Sequence, residues 1–352
     1  MKAIIIILGF GLGIFFGIYP SLDKQKPKLW RMAGIIIVAI TIILALLPPI
    51  GGTFADSYYQ SKNNTNKAVN VRLKMLNTQP KYTPSENKWQ FEALNPDDVN
   101  QTVFQIVYYG NSLPVDLKTE NIIIAKLEYQ PNDKVFKYIS TESVNPLLSL
   151  PFVPNLGEKA RILNFHVPCA WIAVLAYLVS MIFSIRYLKS REYRLDIIAS
   201  SSALLGTMFC ILATITGAVW AKFNWGSYWN WDPRETSIFV LLLIYGAYFA
   251  LRAAIDKEEL RARLSSIYSI IAFITVPFFV FVLPRITTGL HPGSVGEGNS
   301  GPVLSAQPEM LNFTKQIVFS LSIASYTIIY FWILNLTIRM KQIELKIVNF
   351  SN

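Results

Sequence analysis

Trp225-Gly-Ser-Tyr-Trp-Asn-Trp-Asp-Pro-Arg-Glu-Thr236 is a short polar and aromatic break between two apolar runs of membrane-spanning length. Four large aromatics, Trp225, Tyr228, Trp229 and Trp231, crowd it, and Trp220 precedes it by one turn or so. Each buried indole N–H needs a partner. An interfacial aromatic belt is the plainer explanation, but a belt spreads its aromatics over many segment ends. Concentration into one loop favours a binding platform for a flat, apolar ligand. Asp232-Pro-Arg-Glu then reads as a helix start, with Asp232 as N-cap and Pro at the first position.

The rest of the chain agrees with a membrane setting. Its 352 residues are 52% hydrophobic and 15% charged, with a mean hydropathy of +0.37. That is less charge than a soluble domain carries. The net charge of +10 does not point to nucleic acid, because the basic residues cluster at the ends of apolar runs, as in cytoplasmic loops. Cys169 and Cys210 lie in apolar runs without Cys-x-x-Cys spacing and read as small buried hydrophobes. A disulfide between them is open but unprompted.

In order, residues 3–19 form a short apolar run, read as a retained helix rather than a cleaved signal because no small-x-small cleavage site follows. A second run covers 32–47. Five more follow at 163–185, 197–221, 238–254, 267–283 and 317–338. The expected fold is an all-α polytopic membrane protein of about seven transmembrane helices. Basic clusters at Lys24–Arg31, Arg186–Arg194, Arg252–Arg263 and Arg339–Lys346 mark one cytoplasmic side. The Trp-rich loop, the polar insert and the loop at 284–312 share the opposite side. Three regions result: residues 1–52, two N-terminal helices; 53–150, an extracytoplasmic β-rich insert; and 151–352, a five-helix domain. In the insert, 103–109, 122–129 and 135–139 read as strands, and 56–87 as helix or irregular. It is a docking surface or a plain structural insert.

Only two histidines occur, His166 in Arg161-Ile-Leu-Asn-Phe-His-Val-Pro168 and His291 in Thr288-Gly-Leu-His-Pro-Gly-Ser294. Both fall at outer helix ends, near the Trp-rich loop. A single interfacial histidine is usually a polar anchor, whereas two flanking one aromatic platform suggest ligation. Zinc would want more ligands. A haem has a flat apolar face, an iron for two imidazoles and anionic propionates. Arg161, Arg234, Arg285 and Lys222 lie on the same side and suit the propionates. No nucleophile–base pair or hydrolytic carboxylate pair is present, so carriage fits better than catalysis.

Trp225-Gly-x-x-Trp229-x-Trp231-Asp232 resembles the WWD signature of the cytochrome c assembly family of haem-handling proteins, over about residues 160–339. His166 and His291 match its two histidine positions. The segment at Arg161–Pro168, and Gly-Leu-His-Pro-Gly-Ser with Gln307-Pro308-Glu-Met310 after it, look like the CcmC branch. The CcmF and CcsA ligases are expected to carry further histidines, which this chain lacks. Asp232-Pro-Arg-Glu departs toward the Asp-Pro-Lys-Glu ending of those ligases, and the insert is foreign to a compact CcmC.

The resemblance implies haem b bound as cargo, with His166 and His291 as axial ligands. It implies contacts from Trp220, Trp225, Tyr228, Trp229, Trp231, Asp232, Arg234, Arg161 and Arg285. It further implies cytochrome c-type biogenesis at a bacterial inner membrane, with the haem site on the periplasmic side. The expected partners are the membrane, a periplasmic haem chaperone of the CcmE type, ABC-transporter subunits and a small membrane subunit. Alternatives are a CcsA-type subunit of a haem–cytochrome c ligase, or a membrane protein with an aromatic interface and no haem.

Overall fold

The apolar runs fold as helices whose ends are set by local stops. The computed structural model describes residues 2–46, 54, 57–58, 68–76, 79–96, 101–145, 158–291, 294 and 313–351. Helices α1 (Lys2–Ile18) and α2 (Lys28–Leu46) precede the β-rich segment. After it come α3 (His166–Ser190), α4 (Tyr193–Trp225), α5 (Pro233–Ala253), α6 (Glu258–Pro277) and α7 (Phe313–Ser351). Arg191 and Gly226 take left-handed φ values of 62° and 84°, which end α3 and α4. Beyond Pro277, α6 continues through a π turn, Phe278–Val282, and one helical turn, Leu283–Ile286.

Among the described residues, six helices are long and apolar enough to cross a membrane: Lys28–Leu46, Arg161–Ser190, Tyr193–Trp225, Pro233–Ala253, Glu258–Ile286 and Lys315–Leu345. Seven were expected. The difference is α1, whose 17 residues reach roughly 25 Å, short of a ~30 Å hydrocarbon core. Its glycines explain where it sits. Gly13 and Gly17 face α7 so closely that a Cβ at Gly13 would lie 3.1 Å from the Ala324 backbone, and one at Gly17 2.8 Å from Phe331 Cβ. Gly9 faces Ser320 in the same way. This small-residue spacing of four lets two backbones approach. The Lys26 ammonium closes the C-terminus of α1, donating to the carbonyls of Gly17 and Tyr19 at 2.7 Å each.

The main core lies between α3, α4, α5, α6 and α7, with Tyr177 and Tyr245 stacked at 3.5 Å between ring centres. Ser180 and Ser269 meet across α3 and α6 at 3.0 Å, another close approach permitted by small residues. At the end remote from the Trp-rich loop, Asp196 of α4 and Arg252 of α5 form a bidentate pair at 2.8 and 2.9 Å. Cys169 and Cys210 are both free and buried, as their apolar setting suggests.

The insert is a barrel. Its strands are β1 (Val69–Met75), β2 (Lys81–Thr83), β3 (Lys88–Leu94), β4 (Val103–Tyr109), β5 (Ile122–Gln130) and β6 (Val135–Val144). The order β1-β5-β6-β4-β3 returns to β1, so five strands close, with β2 added as a hairpin on β3. Only the β4–β6 pairing is parallel. A five-stranded Greek-key barrel with this order is of the OB type. The three expected strands are present. The expectation of helix or irregular chain over 56–87 is overturned at β1 and β2, while 57–58 are helical and Pro84–Glu86 forms a 3-10 turn. Val69, Val71, Leu73 and Met75 alternate inward with polar residues between them, the period of two that makes a strand.

Candidate functional site

His166 is the first residue of α3 and lies against α4. Its Nδ1 is 3.0 Å from the Ala213 carbonyl oxygen and 3.1 Å from the Thr216 hydroxyl. A carbonyl only accepts, so Nδ1 carries the proton and Nε2 keeps its lone pair. This is the state of a histidine ready to ligate, with its ring oriented by a backbone carbonyl. Gly217 makes room for the ring. A Cβ there would lie 2.9 Å from His166 Cε1.

His291 follows the extension of α6. Its ring packs 5.4 Å from Trp220 and 6.0 Å from Trp225, which themselves meet edge to face at 4.8 Å. Both histidines line one cavity of about 210 Å³ at this end of the helical bundle. Its walls come from α3, α4, α5 and the π turn. Trp171, Phe279 and Phe281 add apolar surface to that of Trp220, Trp225 and Trp229. Arg234 and Arg285 also line it.

The loop between α4 and α5 is built from its acids. Asp232 and Glu235 form a reciprocal capping box at the start of α5. Glu235 Oε2 accepts from the backbone N–H of Asn230 at 2.7 Å and of Asp232 at 3.3 Å. Between those two amides Trp231 takes a left-handed φ of 57°, an uncommon conformation for a bulky residue. Three cavity-lining side chains each have a buried polar atom without a hydrogen-bond partner among the described residues: Trp220 Nε1, Arg234 Nε and Glu235 Oε1. Such atoms cost free energy unless a ligand satisfies them.

Of the residues expected at the site, His166, His291, Trp220, Trp225, Trp229, Arg234 and Arg285 converge on this cavity. Tyr228 and Trp231 do not line it and are exposed at 59% and 72%. Asp232 is buried behind the loop, off the cavity wall. Arg161 precedes α3 on the 3-10 turn Glu158–Asn164; its neighbours Ile162 and Leu163 line the cavity and it does not. Lys222 is turned to the Gly226 carbonyl at 2.8 Å. Gln307–Met310 lies outside the described residues. Sequence reasoning missed Trp171, Gly217, Glu235 and the π-turn wall. The spacing of His166, Ala170 and Val174, all on the wall, was a legible sign that one face of α3 serves the site.

Gly217→Ala is the sharpest local test of this packing. We expect the added methyl to displace the His166 ring and break the Nδ1 contact with Ala213. Binding of an imidazole-ligated probe such as ferric haem should weaken about 10–100-fold, the usual loss when a ligand's orienting contact is removed. A titration followed by absorption reads it, and wild-type affinity would contradict the geometry.

The arrangement is that of a multi-helix membrane protein with two histidines, arginines and an indole wall around one cavity at a bundle end. The family model for heme exporter protein C, CcmC, matches residues 139–348. The chain belongs to the CcmC family. It is 34% identical over 139 residues to heme exporter protein C of Bradyrhizobium diazoefficiens, covering 40% of this chain and 53% of that one. The match to the Rhodobacter capsulatus protein of the same name is 30% over 144 residues, 41% and 60% of the two chains. To that of Escherichia coli K12 it is 28% over 186 residues, 53% and 74%. The chain thus spans little more than half the length of the first two relatives.

Proposed function

We propose that this chain takes part in cytochrome c-type biogenesis by holding haem, as haem b cargo, between His166 and His291. The observation that carries the reading is the convergence of both histidines on one cavity that Trp220 Nε1 and Arg234 Nε also line. In this reading His166 and His291 each ligate the iron through a ring nitrogen. Bis-imidazole ligation leaves the iron no open position, which suits carriage rather than catalysis. Arg234, Arg285 and the Trp220 indole N–H take the propionates, with Arg161 at the rim. Trp225 and Trp229 cover the ring, while Tyr228 and Trp231 remain at the outer edge. Asp232 acts behind the loop.

The cavity opens on the periplasmic side of a bacterial inner membrane, and α1 joins the six longer helices as a seventh membrane-embedded segment. From there the haem passes to a periplasmic chaperone of the CcmE type, alongside ABC-transporter subunits and a small membrane subunit. The names of the relatives, heme exporter protein C, support this role. The purified full chain loaded with ferric haem should give a low-spin, six-coordinate absorption spectrum. Co-purification separates carrier from ligase: a small chaperone supports this reading, whereas a large second membrane subunit supports a CcsA-type ligase.

A further inference from the structure

Asp232 joins two parts of the site that the chain keeps far apart. Its side chain is 3% exposed, and each oxygen accepts from a different element. Oδ1 accepts the Arg234 N–H at 2.9 Å and caps α5. Oδ2 accepts the Leu290 N–H at 2.7 Å, across 58 residues of sequence. Leu290 immediately precedes His291. Gly289 fits this contact: a Cβ there would lie 2.6 Å from Asp232 Oδ2 and 3.0 Å from Pro233 Cδ. The bond ties the α4–α5 loop, which starts just after Trp225, to the backbone immediately ahead of His291.

Capping alone does not require a carboxylate, since Ser, Thr and Asn cap equally well. Accepting two N–H groups that arrive from different elements does. An amide offers one oxygen, and its NH2 group would oppose the second donor. We propose that Asp232 is a positioning residue whose second oxygen fixes the backbone ahead of His291 and so sets that imidazole over the cavity. The ligand role of His291 is taken from the haem reading above; the tie between the loops stands without it.

Two variants of the full chain in detergent separate the roles. Asp232→Ser keeps an N-cap but is too short to reach Leu290. Asp232→Asn keeps the length and loses one acceptor. Without haem, amide exchange across residues 287–291 should accelerate roughly ten- to hundred-fold in the Ser variant, the range for loss of a charged hydrogen bond, and the Asn variant should show that acceleration either there or in the first turn of α5, wherever its NH2 group falls. Exchange in the first turn of α5 should stay near wild type in the Ser variant. With ferric haem, the low-spin spectrum should shift toward high spin, and added imidazole should restore it. Unchanged exchange at 287–291 in the Ser variant overturns the proposal whatever haem does. Faster exchange with wild-type spectrum and affinity overturns it too, since the tie would then not position the ligand. If the wild-type chain takes up no haem, the haem reading fails by itself, and the exchange result alone decides the tie.

Discussion

His166→Ala and His291→Ala are each expected to abolish the low-spin spectrum of the haem-loaded chain. Removing an axial ligand should cost more than the roughly 10–100-fold in affinity that follows loss of an orienting partner. The two variants should not behave alike. His166 is fixed by the Ala213 carbonyl and packed over Gly217. His291 is held by ring contacts with Trp220 and Trp225 and by the backbone before it. Loss of His291 therefore leaves a preorganised His166, and five-coordinate, high-spin haem should be retained more weakly. Loss of His166 removes the better oriented ligand and should lower occupancy further. Exogenous imidazole should recover low-spin character in both. Retention of the wild-type spectrum in both single variants would rule out these ligands.

The other large effect lies at the opposite end of the bundle. Asp196 is 1% exposed and bound at both oxygens by Arg252, whose guanidinium also faces the Tyr248 ring at 5.9 Å. Asp196 stands in the first turn of α4 and Arg252 in the last turn of α5, so both charges also oppose their helix dipoles favourably. Asp196→Ala leaves a largely buried guanidinium without its partner and should cost about 3 kcal/mol, the lower end for a buried pair. The double change Asp196→Leu with Arg252→Met removes both charges and should recover most of that loss. Unfolding in mixed micelles measures it. A single variant as stable as wild type would mean that water reaches Arg252 and that α4 and α5 are held together by packing alone.

Much of this molecule is legible in the order of its residues. Long apolar runs between basic clusters mark α2 to α7 because a spanning helix must satisfy its own backbone in an apolar medium. The two histidines and the Trp-rich loop were visible as chemistry because so few other residues in the chain offer any. Closure of the insert into a barrel was not visible. It depends on β1, whose alternation Val69-Asn-Val-Arg-Leu-Lys-Met75 is short and set among polar neighbours, and on the β3–β1 pairing. The division of labour inside the Trp-rich loop was also hidden. Trp229 and Trp231 are two residues apart, yet only Trp229 lines the cavity, because the left-handed turn at Trp231 sends that side chain outward. Backbone turns of that kind are set by Glu235 from five residues away, a contact that no local pattern announces.

The contact of His166 with Ala213 and that of Leu290 with Asp232 have one more implication together. Ala213, Gly217, Trp220, Trp225 and Asp232 all belong to a single uninterrupted length of polypeptide, from the C-terminal half of α4 into the start of α5. His166 begins α3 and His291 follows the extension of α6, but the same short piece of chain steadies both. A small shift of that piece against α3 and α6 would slacken the two grips simultaneously, so one movement, not two, would loosen both imidazoles.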